Sequence, residues 1–360
     1  MPRKKISVSF VVLLFTAFAI HIFSRSDRAV IEQYYSEGIY PYISRFLTFC
    51  FGWLPFSFGD LLYGIFFLWL AIKLFAFVRI LFKRKLTKDI FFEKIRKLAV
   101  VLLSIYIAFN LLWGLNYNRL SVADKLGFKD LKYSVAELKE IDSVLVNKVN
   151  ESKRVISASG KQIISSREVF TKSVQAYSVV KDEYPFLQYH TVSLKKSMWG
   201  WLGNYLGFTG YYNPITGEAQ VNTTVPLFLQ PFTTCHEIGH QLGYAKENEA
   251  NFAGYLAASK LPDTTFHYSV YLDLFLYANR NLYTLDSNAA SSFAKQLSPG
   301  VKEDLEELRK FYLRHKNPAE PVIRWLYGKY LQGNQQPEGM LAYDKVTALL
   351  IAHYKKFGRI

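Results

Sequence analysis

"TTCHEIGHQLGYAKENEANFAGY", residues 233–255, places His236 and His240 one helical turn apart, with Glu237 beside the first and Glu247, Glu249 and Asn251 following. Residues four apart project from one helix face, so the two imidazoles can share one tetrahedral zinc ion. Pro231 suits the first turn of a helix, and Gly243, three residues past His240, suits its end. The spacing therefore predicts two helices joined by a tight turn, the second folding back toward the first. On that second helix Glu247 and Asn251 share a face, while Glu249 points about 160 degrees away from Glu247. Glu247 is the expected third ligand and Glu249 the alternative. Asn251 is placed to hydrogen-bond a ligand histidine and fix its tautomer. Glu237 is the expected general base, because zinc lowers the pKa of water toward about 7 and a carboxylate alongside can take the proton.

Outward from this motif, the apolar residues of the 360-residue chain crowd its first third. Residues 6–23, "ISVSFVVLLFTAFAIHIF", follow "PRKK" and have about the length that spans a bilayer core. No small-residue cleavage site follows, so an uncleaved anchor is expected rather than a signal peptide. Residues 60–82 and 98–115 are long enough to span as well. Between them, "KRKLTKDIFFEKIRK" (83–97) is densely basic, which by the positive-inside rule makes it cytoplasmic along with the N-terminus. Three spans then leave residues 117–360 outside the cytoplasm, in the periplasm of a cell with an inner membrane, and residues 1–116 as the membrane region. The stretch 24–59 falls on the same outer side, with "FLTFCFGWLPFSFG" suited to lie along the interface.

The net charge of +15 concentrates in that loop and its flanks, where anionic lipid explains it, and no aromatic-and-basic sheet signature for nucleic acid is present. The spans lack the paired charges and broken helices of a transport path. Cys50 and Cys235 are the two cysteines, one beside a span and one inside the motif; they are expected as free thiols.

In the extramembrane part, "SVAELKEIDSVLVNKVNES" repeats apolar residues at helical spacing behind a capping box of Ser134 and Glu137, and 166–184 reads as a second scaffold helix. Residues 198–222 are rich in glycine and aromatics, with "NPITG" as the turn between two short strands. Helices resume from about 268. The fold class expected is a mainly α membrane protein: three N-terminal transmembrane helices, then an α+β domain with a small β element before the histidine helix.

The pattern His236-Glu-Ile-Gly-His240 followed by Glu247-Asn-Glu-Ala-Asn251 resembles the gluzincin class of zinc metallopeptidases, in which a glutamate on a second helix completes the site. With three N-terminal spans, "GYYNPITGEAQVN", "PFTTCHEIGHQLG" and "ENEANF", the chain also resembles an uncharacterised bacterial inner-membrane family carrying a zincin-type domain, a likeness covering nearly the whole sequence. Two departures stand out. Asn251 occupies a position that is often aspartate in gluzincins, and the interval from His240 to Glu247 is short, closer to the metzincin turn, where Lys246 stands in place of that signature's histidine. The resemblance implies a zincin-like metallopeptidase domain, a Zn2+ cofactor and a peptide or protein substrate. It also implies a strand above the metal helix that pairs with substrate, here 217–222, and a donor for the oxyanion among Tyr211, Tyr212, His353 and Tyr343. A catalytically inactive zinc-binding membrane sensor or binding module is the alternative.

Overall fold

The computed structural model describes residues 8–83, 87–160, 165–334, 336, 337, 339 and 345–360. Its helices are α1 (Val8–Phe23), α2 (Arg28–Phe51), α3 (Phe58–Phe82), α4 (Lys88–Leu112), α5 (Val122–Leu126), α6 (Val135–Ser159) and α7 (Ser166–Val180). After strand β1 (Leu194–Lys196) come α8 (Gly200–Leu206) and the strands β2 (Gly210–Asn213) and β3 (Glu218–Val221). The rest is helical: α9 (Gln230–Gln241), α10 (Glu247–Lys260), α11 (Thr264–Leu285), α12 (Ser287–Lys295), α13 (Pro299–His315), α14 (Glu320–Gly333) and α15 (Lys345–Phe357).

Helices α3 and α4 are long and apolar enough to cross a bilayer, and almost none of their apolar surface is covered by protein. Together they mark the chain as a membrane protein. The span expected at residues 6–23 corresponds to α1, which meets α2 at 117°, and the pair makes a third candidate span only when taken as one. The span expected at 98–115 begins instead at Lys88, where the Thr87 hydroxyl accepts the Ile90 amide at 3.3 Å, and its helix stops at Leu112. Helix α2 is amphipathic. Ile31, Tyr35, Tyr40, Ser44 and Leu47 face the protein, while Tyr42, Phe46 and Phe49 point outward. A π-helical segment, Glu32–Ile39, interrupts it. Such a widened turn inside an α-helix rotates the residues beyond it.

Both open ends of the α3–α4 hairpin meet the remaining domain. At the N-terminus of α3 the buried Glu218 carboxylate accepts the amides of Phe58 (3.0 Å) and Gly59 (2.7 Å), filling donors that a helix start leaves unpaired. Lys195 of β1 caps the preceding turn by donating to the Gly52 carbonyl at 2.7 Å. The expected hairpin is formed by β2 and β3, antiparallel across 214–217. Residues 217–222 do not form a sheet edge, however. Strand β3 is central, paired on its other side with parallel β1, a three-residue strand too short to carry a sequence signal.

The main core gathers α6, α7, α9, α10 and α11 around Leu138, Tyr177, Phe252 and Phe266. The capping box of Ser134 and Glu137 opens α6 as expected. A second apolar cluster joins Ile31, Tyr35 and Tyr40 to Trp113, Leu115 and Tyr212, so the membrane region and the domain share packed surface across residue 116. Both cysteines are free, Cys235 buried and Cys50 half-buried.

One carboxylate in the core is not compensated. Asp142 of α6 is fully buried, its Oδ2 accepts Asn279 at 2.9 Å, and Oδ1 has no partner. Burial pushes its pKa up to about 7, against the pull of the Asn279 bond. The folded value thus lies above the unfolded value near 3.9, so the stabilisation is complete below pH 4 and is lost as pH rises toward 7, on the order of 2–4 kcal/mol. Asp142→Asn keeps an acceptor for Asn279 and removes the charge. Its melting temperature in detergent should exceed the wild type's at pH 8 and match it at pH 4.5; an equal shift at both would show that Asp142 is not neutralised on folding.

Candidate metal centre

Helix α9 starts with Pro231 in its first turn and ends at Leu242, where Gly243 takes φ +87° to reverse the chain. That left-handed conformation favours glycine. Four residues later α10 begins, and it packs against α9 closely enough that a Cβ on Gly254 would lie 3.0 Å from the His236 amide nitrogen. The close crossing carries Glu247 onto the histidines.

The ligand atoms of His236, His240 and Glu247 lie within 4.8 Å of one another. Glu247 Oε2 is 3.4 Å from His236 Nε2 and 3.5 Å from His240 Nε2. Both separations exceed a good hydrogen bond. They match the edge of a tetrahedron about a zinc ion, which for bonds of 2.0–2.1 Å is about 3.3–3.4 Å. Two imidazoles and one carboxylate are a donor set that could hold a metal ion, zinc among those it suits. Glu247 presents one oxygen, since Tyr327 of α14 donates to Oε1 at 2.8 Å and Gln336 accepts the Glu247 amide at 3.1 Å.

His240 Nδ1 stands 2.8 Å from the Tyr244 carbonyl, which assigns the proton to Nδ1 and turns Nε2 toward Glu247. The residue that orients this histidine is therefore a backbone carbonyl in the turn, a partner that residue types alone do not reveal. Asn251, expected to bond a ligand histidine, is buried on α10, but its Nδ2 and His236 Nδ1 have no hydrogen-bond partner.

Glu249 is directed elsewhere: its Oε2 accepts the Val122 amide at 3.2 Å at the start of α5, among the charges of Lys246 and Arg119. Glu237 is buried against β2, where a Cβ on Gly210 would lie 2.5 Å from Oε1, and its Oε2 has no partner. Burial lifts its pKa to about 8, with Glu247 adding and His240 opposing. Burial also lowers His236, while in His240 it is outweighed by Glu247, whose charge and bond lift the ring to about 9. Glu247 itself is held well below the usual carboxylate range, the two histidines outweighing its burial.

Among the described residues, three of the expected oxyanion donors have their bonds or packing elsewhere. The Tyr211 hydroxyl donates to Asp60 of α3, and the Tyr212 hydroxyl pairs with Tyr40 at 3.2 Å. His353 lies on α15 against Tyr184 and Phe252. Tyr343 lies outside the described residues. Phenols that do approach Glu247 include Tyr327, the Tyr330 and Tyr117 pair at 3.3 Å, and Tyr277 of α11. Tyr327 is 80 residues from Glu247 in sequence, and only the packing of α14 reveals it.

The helix hairpin marks a membrane protein, and the His-His-Glu cluster is a group of side chains that could hold a metal ion. The chain belongs to the family described as "Protein of unknown function (DUF3810)", whose model matches residues 35–351 and so takes in the hairpin and the domain as one unit. No curated protein and no solved structure matches it.

Two measurements probe the cluster. Below about pH 9 His240 holds a proton that a cation must displace. Zinc uptake by the metal-free protein should therefore release about one proton, and affinity should fall about tenfold per unit as pH drops from 8 to 6. Calorimetry in buffers of differing ionisation enthalpy reads both, and pH-independent uptake would place the metal elsewhere. Tyr327→Phe frees the Glu247 carboxylate to rotate and should weaken zinc about tenfold in a chelator competition; unchanged affinity would show that the bond does not orient the ligand.

Proposed function

We propose that the protein is a membrane-anchored, zinc-dependent metallopeptidase. The observation that carries this is the pairing of a His236–His240–Glu247 cluster, its ligand atoms within 4.8 Å of one another, with a buried Glu237 whose Oε2 is unpartnered. A zinc ion in this donor set supplies Lewis-acid activation of water and polarises a carbonyl. Glu237 is the general base: the positive charge of a bound zinc would lower its raised pKa, so that its free oxygen could take a proton from water and pass it to the leaving amine. The close approach of Gly210 to Glu237 makes β2, on the outside of the sheet, the strand beside which an extended substrate would lie, in place of the central β3.

The proposed orientation follows from charge. The connection between α3 and α4, with Lys83 and Lys88 at its ends and Lys94, Arg96 and Lys97 in the turns beyond, is cytoplasmic by the positive-inside rule. Because the hairpin returns to its starting side, the domain is extracytoplasmic whether or not α1 spans. With α1 as a third span, the N-terminus is cytoplasmic and the protein multi-pass in the inner membrane.

Glu237→Gln should retain bound zinc and lose proteolysis of membrane-protein substrates by about 100-fold or more, scored by comparing cleavage products in cells carrying each form. His236→Ala should lose the metal. A Glu237→Gln protein with full biological function would support instead an inactive zinc-binding sensor.

A further inference from the structure

Two short helices beside the metal centre carry apolar faces that the protein does not cover. On α8 these are Trp201, Leu202 and Tyr205, and on α14 Val322, Trp325 and Leu326; Trp201 is 57% and Trp325 60% exposed. On α14 the stripe recurs at three- and four-residue spacing and continues to Tyr330, with Arg324 and Lys329 flanking it. Its inward face holds Tyr327, bonded to Glu247. The two helices touch: Asn317, just before α14, donates to the Tyr205 carbonyl at 2.7 Å, and Phe208 stacks edge-on to Tyr327 at 5.4 Å.

The depth of this pair is set by α3. Trp199, at the start of α8, donates to the Asp60 carbonyl at 3.0 Å, and its ring would lie 3.1 Å from a Cβ on Gly64. Gly64 is about 9 Å along the helix from Phe58. At that level Ile65 and Phe66 of α3 already face outward, on a helix whose apolar surface has no protein cover. Tyr330 stands within electrostatic reach of Tyr63 on the same turn. The apolar faces of α8 and α14 are thus continuous with the lipid-facing surface of the spanning hairpin. Aromatic and aliphatic residues flanked by Arg and Lys are the composition of an interfacial helix, whose long cations reach the headgroups.

We infer that α8 and α14 lie in the headgroup layer of the leaflet on the domain's side, so that the metal centre takes its substrate from the plane of the membrane. The occupant of these faces is lipid. The substrate class that follows, a polypeptide anchored in the same bilayer, rests on the peptidase proposal above, whereas the position of the helices does not.

The test uses the full chain in nanodiscs of phosphatidylethanolamine and phosphatidylglycerol, with Cys50→Ser and a single nitrobenzoxadiazole label at Trp325→Cys or, independently, Val322→Cys. Labels at Ile72→Cys on α3 and Lys310→Cys on α13 give bilayer and water references. Chain-brominated lipid should quench the labels at 322 and 325 at least about threefold more than that at 310, and iodide should do the reverse. Iodide quenching equal to that at 310 would overturn the inference, as would shielding from both quenchers, which would mean a protein partner or a second copy.

A second arm compares a quenched fluorescent peptide with the same peptide carrying a palmitoyl chain in the same nanodiscs. The anchored form should be cut at least about tenfold faster, an advantage that Trp325→Glu with Leu326→Glu removes while cleavage of the free peptide persists. Equal rates would overturn the membrane-plane substrate. Cleavage of neither would count against the peptidase proposal, and quenching alone would then decide the position of the helices.

Discussion

The C-terminal end of the metal helix is the point on which the molecule turns. Its closing turn pairs the Ile238, Gly239 and His240 carbonyls with the amides of Leu242, Tyr244 and Gly243 (2.9, 3.1 and 2.9 Å), and any acceptor left unpaired in this interior would cost about 1–3 kcal/mol. Three carbonyls at this end also receive a side-chain donor from outside the domain's own core. Trp113 donates to His240 at 3.0 Å, Tyr40 to Gln241 at 2.7 Å, and Arg119 to Leu242 at 3.0 Å. Trp113 and Arg119 bracket the exit of α4, and Tyr40 follows the π-helical segment of α2. The guanidinium also complements the negative end of the helix dipole and is held by a bidentate pair with Glu32 (2.8 and 3.0 Å). His240 is therefore positioned from two sides: its ring by the Tyr244 carbonyl, its backbone by a tryptophan leaving the membrane.

The opposite arrangement holds at α3. There the helix start needs acceptors, and Glu218 of the central strand supplies the carboxylate. Helix α9 thus draws donors from the membrane-proximal segments, and α3 draws an acceptor from the domain's sheet. Strand β3 connects the two, since its neighbour β2 packs against Glu237 while Glu218 caps the hairpin. Separating the chain at residue 116 would leave buried groups unpaired on both sides, in agreement with a family model that runs through this point without interruption.

The local parts of this structure were legible in the sequence. A four-residue histidine spacing, Pro231 and Gly243 define α9 and its turn, and the helical period alone separates Glu247 from Glu249. Capping chemistry located α6, and hydropathy located α3. What could not be read were the relations that depend on packing between distant segments. Nothing local distinguishes Tyr327 from other tyrosines on an amphipathic helix; its role exists because α14 folds over α10. Strand β3 has the alternation of an edge, and only the three residues of β1, with no periodicity to detect, make it central. The start of α4 was misplaced because its first turns carry lysine and arginine, which hydropathy counts as loop and a helix tolerates at a membrane surface.

These constraints bear on how such a site could work. At the His236–His240–Glu247 cluster, rigidity comes from bonds to the membrane-proximal chain as well as from the domain's own core. The side chains of His240 and Glu247 are under 10% exposed and that of His236 is 12% exposed, so His236 marks the more open side of the cluster. Glu247 is closed over by Tyr327 and Gln336. The ligand held most firmly by the anchored segments is His240, and the one held by the peripheral helix is Glu247. Displacement of α14 by a substrate or by lipid would therefore act first on the carboxylate and leave the histidine pair in place, which makes α14 the element through which the membrane surface could reach the metal.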